Sequence, residues 1–248
     1  MKFTQIPADT FEQLQLNAGV IASAFTPESG TLTASNIIGA TSGGVSFTST
    51  PTYKDFGEDI DNCPKNTKEL KKIDGYDVKL SGTLVTVTSD VAKRLVGAAG
   101  VSGGEAQYAL TSDTSLVTGK TYYTRSGSGT AGSPYVYTPV QNPSAASLST
   151  YYEVTGYSTA KVTPRADLAS ADFADIWWIG DYSDKNGATN GGFVAIRVIN
   201  GLSTGGFQLQ SSDKEKGKFA FEFTGHTSMA TPSVVPFEVY VKAGTAES

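Results

Sequence analysis

Alternation of apolar and polar residues with a period of two is the feature that most limits what this chain can become. In Lys218-Phe219-Ala220-Phe221-Glu222-Phe223-Thr224 the phenylalanines share one face of an extended strand, and Lys218, Glu222 and Thr224 share the other. Phe237-Glu238-Val239-Tyr240-Val241-Lys242 sorts in the same way. Successive strand side chains point to opposite faces, so these segments predict half-buried strands with one face on a core. Ala174–Gly180 and Phe193–Ile199 are apolar with weaker alternation, which predicts strands covered on both faces. Further strands are expected near Val20–Phe25, Asn36–Phe47 and Tyr76–Val87. Asp213–Gly217 reads as a charged turn, while Asp184-Lys185-Asn186-Gly187 and Asn190-Gly191-Gly192 supply the positive φ angles of a hairpin loop.

One helix interrupts the pattern. Ser89 is positioned to accept a hydrogen bond from a first-turn amide, and Asp90 suits the helix dipole there. Val91, Ala92, Leu95 and Val96 form one apolar face, and Gly97 and Gly100 can end the helix. A second, weaker helix or turn is expected at Asp9–Leu16.

Composition shifts at Val101-Ser102-Gly103-Gly104. From there to about Gly156 the chain is dense in Ser, Thr, Tyr, Gly and Pro and poor in aliphatic residues. Thr121-Tyr122-Tyr123-Thr124 is echoed by Thr150-Tyr151-Tyr152-Glu153, so tyrosines supply a thin core and a candidate binding face. The expected architecture is mainly β: two packed sheets, as a sandwich or partly closed barrel, flanked by one α-helix. Residues 1–100 and 158–248 build that domain, and residues 101–157 form a small inserted β module.

A chain of 248 residues can bury roughly 70% of its unfolded surface, so it needs no staples. Cys63 is the only cysteine, which excludes an internal disulfide. The opening Met1–Asp9 lacks the apolar run of a secretory signal, and no stretch approaches the ~20 apolar residues of a membrane helix. The expectation is a soluble product made in a cytosol, with no membrane insertion. Nineteen basic against 24 acidic residues give a net charge of −5, which argues against gripping phosphates. It does not exclude a surface past which DNA slides without sticking.

Motifs with a chemical reading each have a plainer one. Gly127-Ser128-Gly129-Thr130-Ala131-Gly132 matches a dinucleotide fingerprint, but Ser133-Pro134-Tyr135-Val136-Tyr137 follows as strand where the motif needs a helix. Gly119-Lys120-Thr121 resembles the end of a phosphate loop, yet Thr114 holds the required upstream glycine position. Asp55, Glu58, Asp59 and Asp61 offer oxygen ligands at a spacing that fits no calcium loop. His226 and Cys63, single of their kinds, are too few for structural zinc. They lack the flanking motifs of nucleophilic catalysis, so no enzyme and no cofactor is expected. Of Trp177 and Trp178, on opposite faces, one is core; the other is either covered by the helix or at a subunit interface.

Three stretches carry a resemblance. Leu14-Gln15-Leu16-Asn17-Ala18-Gly19-Val20-Ile21 resembles the opening of major tail proteins from long-tailed phages of Gram-positive hosts. Phe223-Thr224-Gly225-His226 followed by Pro236–Val241 resembles their closing strands, and Trp177–Ser183 matches their central strand in character. It covers roughly residues 1–100 and 158–248; the module at 101–157 departs from the simplest members. The resemblance implies two sheets with a flanking helix, six subunits per ring, and rings stacked into a tail tube through which DNA passes without specific binding. It implies partners in tape-measure and tube-terminating proteins, and a place in the virion tail after synthesis in the host cytoplasm. It also implies a long loop joining neighbouring rings, matched by residues 49–73, with Asp55, Glu58, Asp59, Asp61, Lys65 and Lys68 as its contact candidates. Trp177, Tyr122, Tyr123, Tyr151 and Tyr152 are the candidates for an interface or for the surface of the insert. The alternative class is a carbohydrate- or cell-surface-binding β module, for adhesion or decoration.

Overall fold

The computed structural model describes residues 10, 14–15, 17–183 and 189–244. The N-terminal strands are β1 (Leu14–Gln15), β2 (Val20–Ala22), β3 (Ile37–Gly39), β4 (Thr41–Asp55) and β5 (Lys71–Leu84), followed by helix α1 (Ser89–Val96). Short strands come next: β6 (Ala99–Ser102), β7 (Ala106–Leu110), β8 (Tyr123–Ser126), β9 (Val136–Pro139), β10 (Tyr152–Tyr157) and β11 (Lys161–Pro164). The chain closes with β12 (Ala174–Ser183), β13 (Thr189–Ser203), β14 (Gln208–Gln210), β15 (Lys218–Thr224) and β16 (Phe237–Lys242). The protein is mainly β and divides into two compact units, Met1–Gly100 with Thr163–Ser248, and Val101–Val162. The expected module ended at residue 157, so the second unit takes in five more residues.

The first unit is a ten-stranded antiparallel sheet with the path β3-β2-β12-β13-β15-β5-β4. Strand β1 joins β12, β16 joins β13 and β14 joins β15. The long β13 belongs to both halves. Its Phe193–Val198 stretch lies between β12 and β16, while Leu202 and Ser203 pair with β15. Asn200 between them has φ 49, a left-handed conformation that asparagine tolerates better than most residues. The Asp175 carboxylate accepts from Asn200 N at 3.1 Å and fixes the bend. A strand that changes sheets at such an irregularity lets the sheet fold over into a sandwich-like, partly closed form. Among the described residues the sheet does not close into a barrel.

The alternation seen in the sequence fills the space between the halves. Val78, Leu80 and Leu84 of β5 meet Phe221 and Phe223 of β15, Ile21, Ile176 and Val198, all buried. Burying each such side chain stabilises the fold by about 1.5–3 kcal/mol. Helix α1 closes this core with Val91 and Leu95. Its cap is Thr88, not Ser89: Thr88 Oγ1 accepts from Val91 N at 3.3 Å, and Ser89 is the first helical residue. Both are short hydroxyl residues, so sequence could not separate them. Gly97, at φ 87, ends the helix; Gly100 lies in β6 instead.

The opposite face of β12 and β13 is also covered. Ala22, Trp177, Ile179, Phe193 and Ala195 pack there under Phe25, Leu32 and Tyr240. Trp178, on the inner face, donates from Nε1 to Ala18 O at 3.0 Å. Gly19 makes room for that ring, since a Cβ on it would lie 2.5 Å from Trp178 Nε1 and its φ is +70. The helix or turn expected at Asp9–Leu16 is corrected in part: Thr10 lies in a 3-10 turn, but Leu14 and Gln15 pair as strand with Ser183 and Tyr182, and Asp9, residues 11–13 and Leu16 lie outside the described residues. The Asp184–Gly187 turn also falls outside them, while β12 and β13 do meet as a hairpin, Ser183 opposite Thr189.

The second unit is a four-stranded sheet in the order β7-β10-β8-β9. Tyr122, Leu148 and Tyr151 form its buried cluster, with Val140 against them. Strands β6 and β11 pair with each other as a separate two-stranded ribbon.

Candidate functional site

The segment expected to be a long loop, residues 49–73, is instead largely a β-hairpin. Strands β4 and β5 pair continuously from Phe47 opposite Leu80 out to Asp55 opposite Lys71, with one bulge after Thr52. The pairing of β15 with β5 stops at Lys79. Beyond Pro51 opposite Tyr76, the two strands therefore pair only with one another among the described residues. Thr, Tyr and Ile favour such pairing, and the proline and charges of the segment do not prevent it. Pro51 is compatible because β4 is an edge strand and needs no outward donor.

The tip, residues 56–70, is a set of turns rather than open loop. Asp55 Oδ1 accepts from Gly57 N at 2.9 Å, and Phe56 N donates to Leu70 O at 3.0 Å. Asn62 and Asn66 take left-handed angles of 61 and 64. Lys71 Nζ donates to Asn66 Oδ1 at 2.7 Å, and Thr67 Oγ1 to Pro64 O at 2.7 Å. Of the six charged candidates, Glu58, Asp59, Asp61, Lys65 and Lys68 are exposed and Asp55 is half-buried. Lys68 makes only an exposed pair with its neighbour Glu69 at 3.5 Å. Asp55, Glu58 and Lys65 line a pocket of about 420 Å³ with Gly57, Cys63 and Asn66. Among the described residues no three acidic, histidine or cysteine side chains converge to hold a metal.

Apolar exposure is what the arm adds. Tyr53, Phe56, Ile60 and Ile73 are 61%, 51%, 51% and 44% exposed. Strand β16, which pairs only with β13 among the described residues, exposes Val239 and Val241 beside them in kind. A two-stranded hairpin is marginal in water on its own, and unpaired edges invite another strand.

The tyrosine pairs of the second unit divide by strand alternation. Tyr122 and Tyr151 point inward and are buried, so they are not surface residues as the sequence reading allowed. Tyr122 OH donates to Asp113 Oδ2 at 2.8 Å and accepts from Val117 N at 3.1 Å; Tyr151 OH accepts from Ser144 N at 3.2 Å. Tyr123 and Tyr152 sit opposite each other on β8 and β10, half-buried on the other face. Lys120 is held between Asp113, at 2.7 Å, and Glu153. The Lys120 hydrogen bond, then that of Tyr122, lowers the Asp113 carboxyl below its ordinary value, while burial raises the Tyr122 phenol. The lysine of the Gly-Lys-Thr motif is thus a structural ion. The Gly127–Gly132 motif is a hairpin loop between β8 and β9, closed by Ser128 N and Gly129 N donating to Ser133 O.

Trp177 is corrected as an interface candidate. It is 6% exposed, with Phe25 edge-on at 5.7 Å, Tyr240 at 5.5 Å and the Arg197 guanidinium 5.6 Å from its ring. Arg197 bridges three strands, donating to Asp175 at 2.6 Å and Glu238 at 3.0 Å. Tyr240 OH donates to Glu238 at 2.7 Å, which raises the Tyr240 phenol and, together with Arg197, lowers the Glu238 carboxyl. His226 packs edge-on against Phe173 with Nδ1 3.2 Å from Asn200 O, while Cys63 Sγ lies 3.6 Å from Thr67 Oγ1 and from Pro64 O. Sequence reasoning missed the ion triads around Lys120 and Arg197 and the exposed Arg125. Only the last had a signal, since it shares a strand face with Tyr123 two residues away. No described helix is long and apolar enough to cross a membrane. No protein-family model matches the chain, and no curated protein matches it in sequence.

Proposed function

We propose that this chain is a virion structural protein that self-assembles into stacked hexameric rings, forming the tube of a long-tailed phage. The observation that carries the reading is the β4–β5 arm, a two-stranded extension with four exposed apolar side chains and an unpaired edge. Such an arm gains order and burial by docking on another subunit, and the resemblance to tail-tube proteins supplies the identity of that subunit. The edges of β4 and β16 offer further strands for pairing, as repeated head-to-tail association requires. The role is structural rather than catalytic, with tape-measure and tube-terminating proteins as partners.

DNA in the lumen would slide rather than bind. The second unit carries three acidic and three basic residues, so the excess of −5 belongs wholly to the first. Acidic groups facing a lumen repel DNA within a Debye length of ~8 Å at physiological salt.

The test replaces residues 52–75 by a two-residue Asn-Gly turn and images concentrated protein by negative stain, beside the unaltered chain. The unaltered chain is expected to form tubes, and the variant to remain folded by circular dichroism but unassembled. Normal tubes from the variant would remove the arm from the mechanism. A virion carrying this chain only in capsid or fibres would overturn the whole reading.

A further inference from the structure

Arg125 on β8 is held in an unusual way for a cation with no carboxylate beside it. Its guanidinium carbon lies 4.3 Å from the centre of the Tyr135 ring and 4.6 Å from that of Tyr152. Contact with two ring faces holds the guanidinium in place. Among the described residues no hydrogen bond or ion pair takes its N–H groups, and the side chain is exposed. The acids of its unit are engaged elsewhere: Asp113 and Glu153 on Lys120, and Glu105 with Ser158 Oγ at 2.7 Å.

Tyrosines surround it on the same sheet face. Tyr137 stands directly opposite Arg125 in register and stacks on Tyr108 at 3.9 Å, with 6° between the rings. Tyr108 meets Tyr123 edge-on at 5.1 Å, and Tyr137 meets Tyr152 edge-on at 5.3 Å. Unlike Tyr122 and Tyr151, these four rings have hydroxyls with no hydrogen-bond partner among the described residues. Locked rings with free hydroxyls provide contact area and hydrogen bonding at low entropic cost.

We propose that this face binds an acidic polysaccharide, with a sugar carboxylate in the Arg125 fork and neighbouring hydroxyls on the tyrosine rim. The fork is planar and matches a carboxylate through two parallel N–H bonds. An isolated positive charge among hydroxyls is the complement of an isolated negative charge among hydroxyls, which is what a uronate-containing chain presents. The chain's net charge of −5 resists diffuse attraction of a polyanion, so retention reports a local site.

Affinity electrophoresis of the full chain through gels holding polygalacturonate or dextran tests this, with double-stranded DNA as a competing polyanion. Polygalacturonate is expected to retard the protein, dextran not, and DNA not to compete. Arg125→Lys keeps the charge and the ring contacts but loses the fork, so binding should weaken about tenfold. Tyr123→Phe with Tyr137→Phe, which keep the stacks, should weaken it a few-fold by removing hydroxyls. An unchanged near-ultraviolet spectrum shows that the unit remains folded in each variant. No retardation by polygalacturonate, equal retardation by dextran, displacement by DNA, or wild-type binding by folded Arg125→Lys each overturns the proposal. Tubes are scored by microscopy in the same samples, so failure of the tube reading is seen separately.

Discussion

The two units hold themselves together by different chemistry. In the first, aliphatic and phenylalanine side chains from both halves of a folded sheet and one helix make a single core, and polar groups sit at its margins. In the second, the buried cluster is two tyrosines and one leucine, and both phenols are hydrogen-bonded inside the unit. A sheet of four short strands cannot bury much aliphatic surface. Tyrosine suits it because one end of the ring is apolar and the other finds a polar partner. Polar deletions should therefore matter more in the second unit, and apolar deletions should dominate the first.

The largest effect is expected from Phe223→Ala, in the shared core of the first unit. Removing a fully buried ring there should cost about 3–5 kcal/mol. Leu148→Ala should cost the second unit about 2–5 kcal/mol, toward the lower end because fewer groups line its site. Differential scanning calorimetry should show each variant moving one transition and leaving the other in place. A single transition that moves with both variants would break the comparison, because the units would then unfold as one.

Charge neutralisation tests the second half of the contrast. Lys120→Met strands two carboxylates that are only 18% and 17% exposed, whereas Arg197→Met strands two that are 30% and 40% exposed. Water compensates the second pair better, so Lys120→Met should lower its unit's melting temperature more. The wild-type pH response has a defined sign. Asp113 is depressed in the folded state, so its contribution is present above the ordinary carboxylate range and fades as pH falls through its folded value. Tyr122 is raised, so its contribution is whole below the ordinary phenol range and fades as pH climbs through its folded value. The second unit should thus lose stability at both acid and alkaline extremes, and Lys120→Met should flatten the acid limb. An unaltered acid limb would show that the Lys120–Asp113 pair contributes nothing to it, leaving the Tyr122 hydrogen bond as the source of the depression.

Much of the first unit was legible because one-sided burial writes itself as alternation. Lys218–Thr224 and Phe237–Lys242 fell into strands with those bounds, and the two-faced burial of Ala174–Gly180 showed as a loss of alternation. Pairing partners were not legible. Nothing local to Asn200 announces that β13 serves both halves of the sheet, since that depends on strands far away in sequence. The hairpin within residues 49–73, where the resemblance implied a loop, was not legible for a related reason. Pro51, Gly57 and the charges are loop-like locally, yet cross-strand pairing from Phe47–Leu80 outward carries them into a hairpin. In the tyrosine repeats the alternation was visible, but which member faces the core was not, because both are the same residue.

The smallest effect sharpens the contrast at α1, where the first unit uses a single polar contact. Thr88 Oγ1 accepts from Val91 N at 3.3 Å, a long hydrogen bond at the helix start. Thr88→Ala removes the acceptor of this long, part-buried hydrogen bond and should cost about 0.5–1 kcal/mol, the lower part of the range for such caps. Ser89→Ala removes a hydroxyl from the first helical position and replaces it with a better helix former, so it should change stability by no more than a few tenths of a kcal/mol. Chemical unfolding monitored on the first unit distinguishes the two. A larger loss for Ser89→Ala than for Thr88→Ala would move the cap to Ser89. A Thr88→Ala loss that matched Leu148→Ala would mean that polar contacts weigh as much in the first unit as apolar ones do in the second.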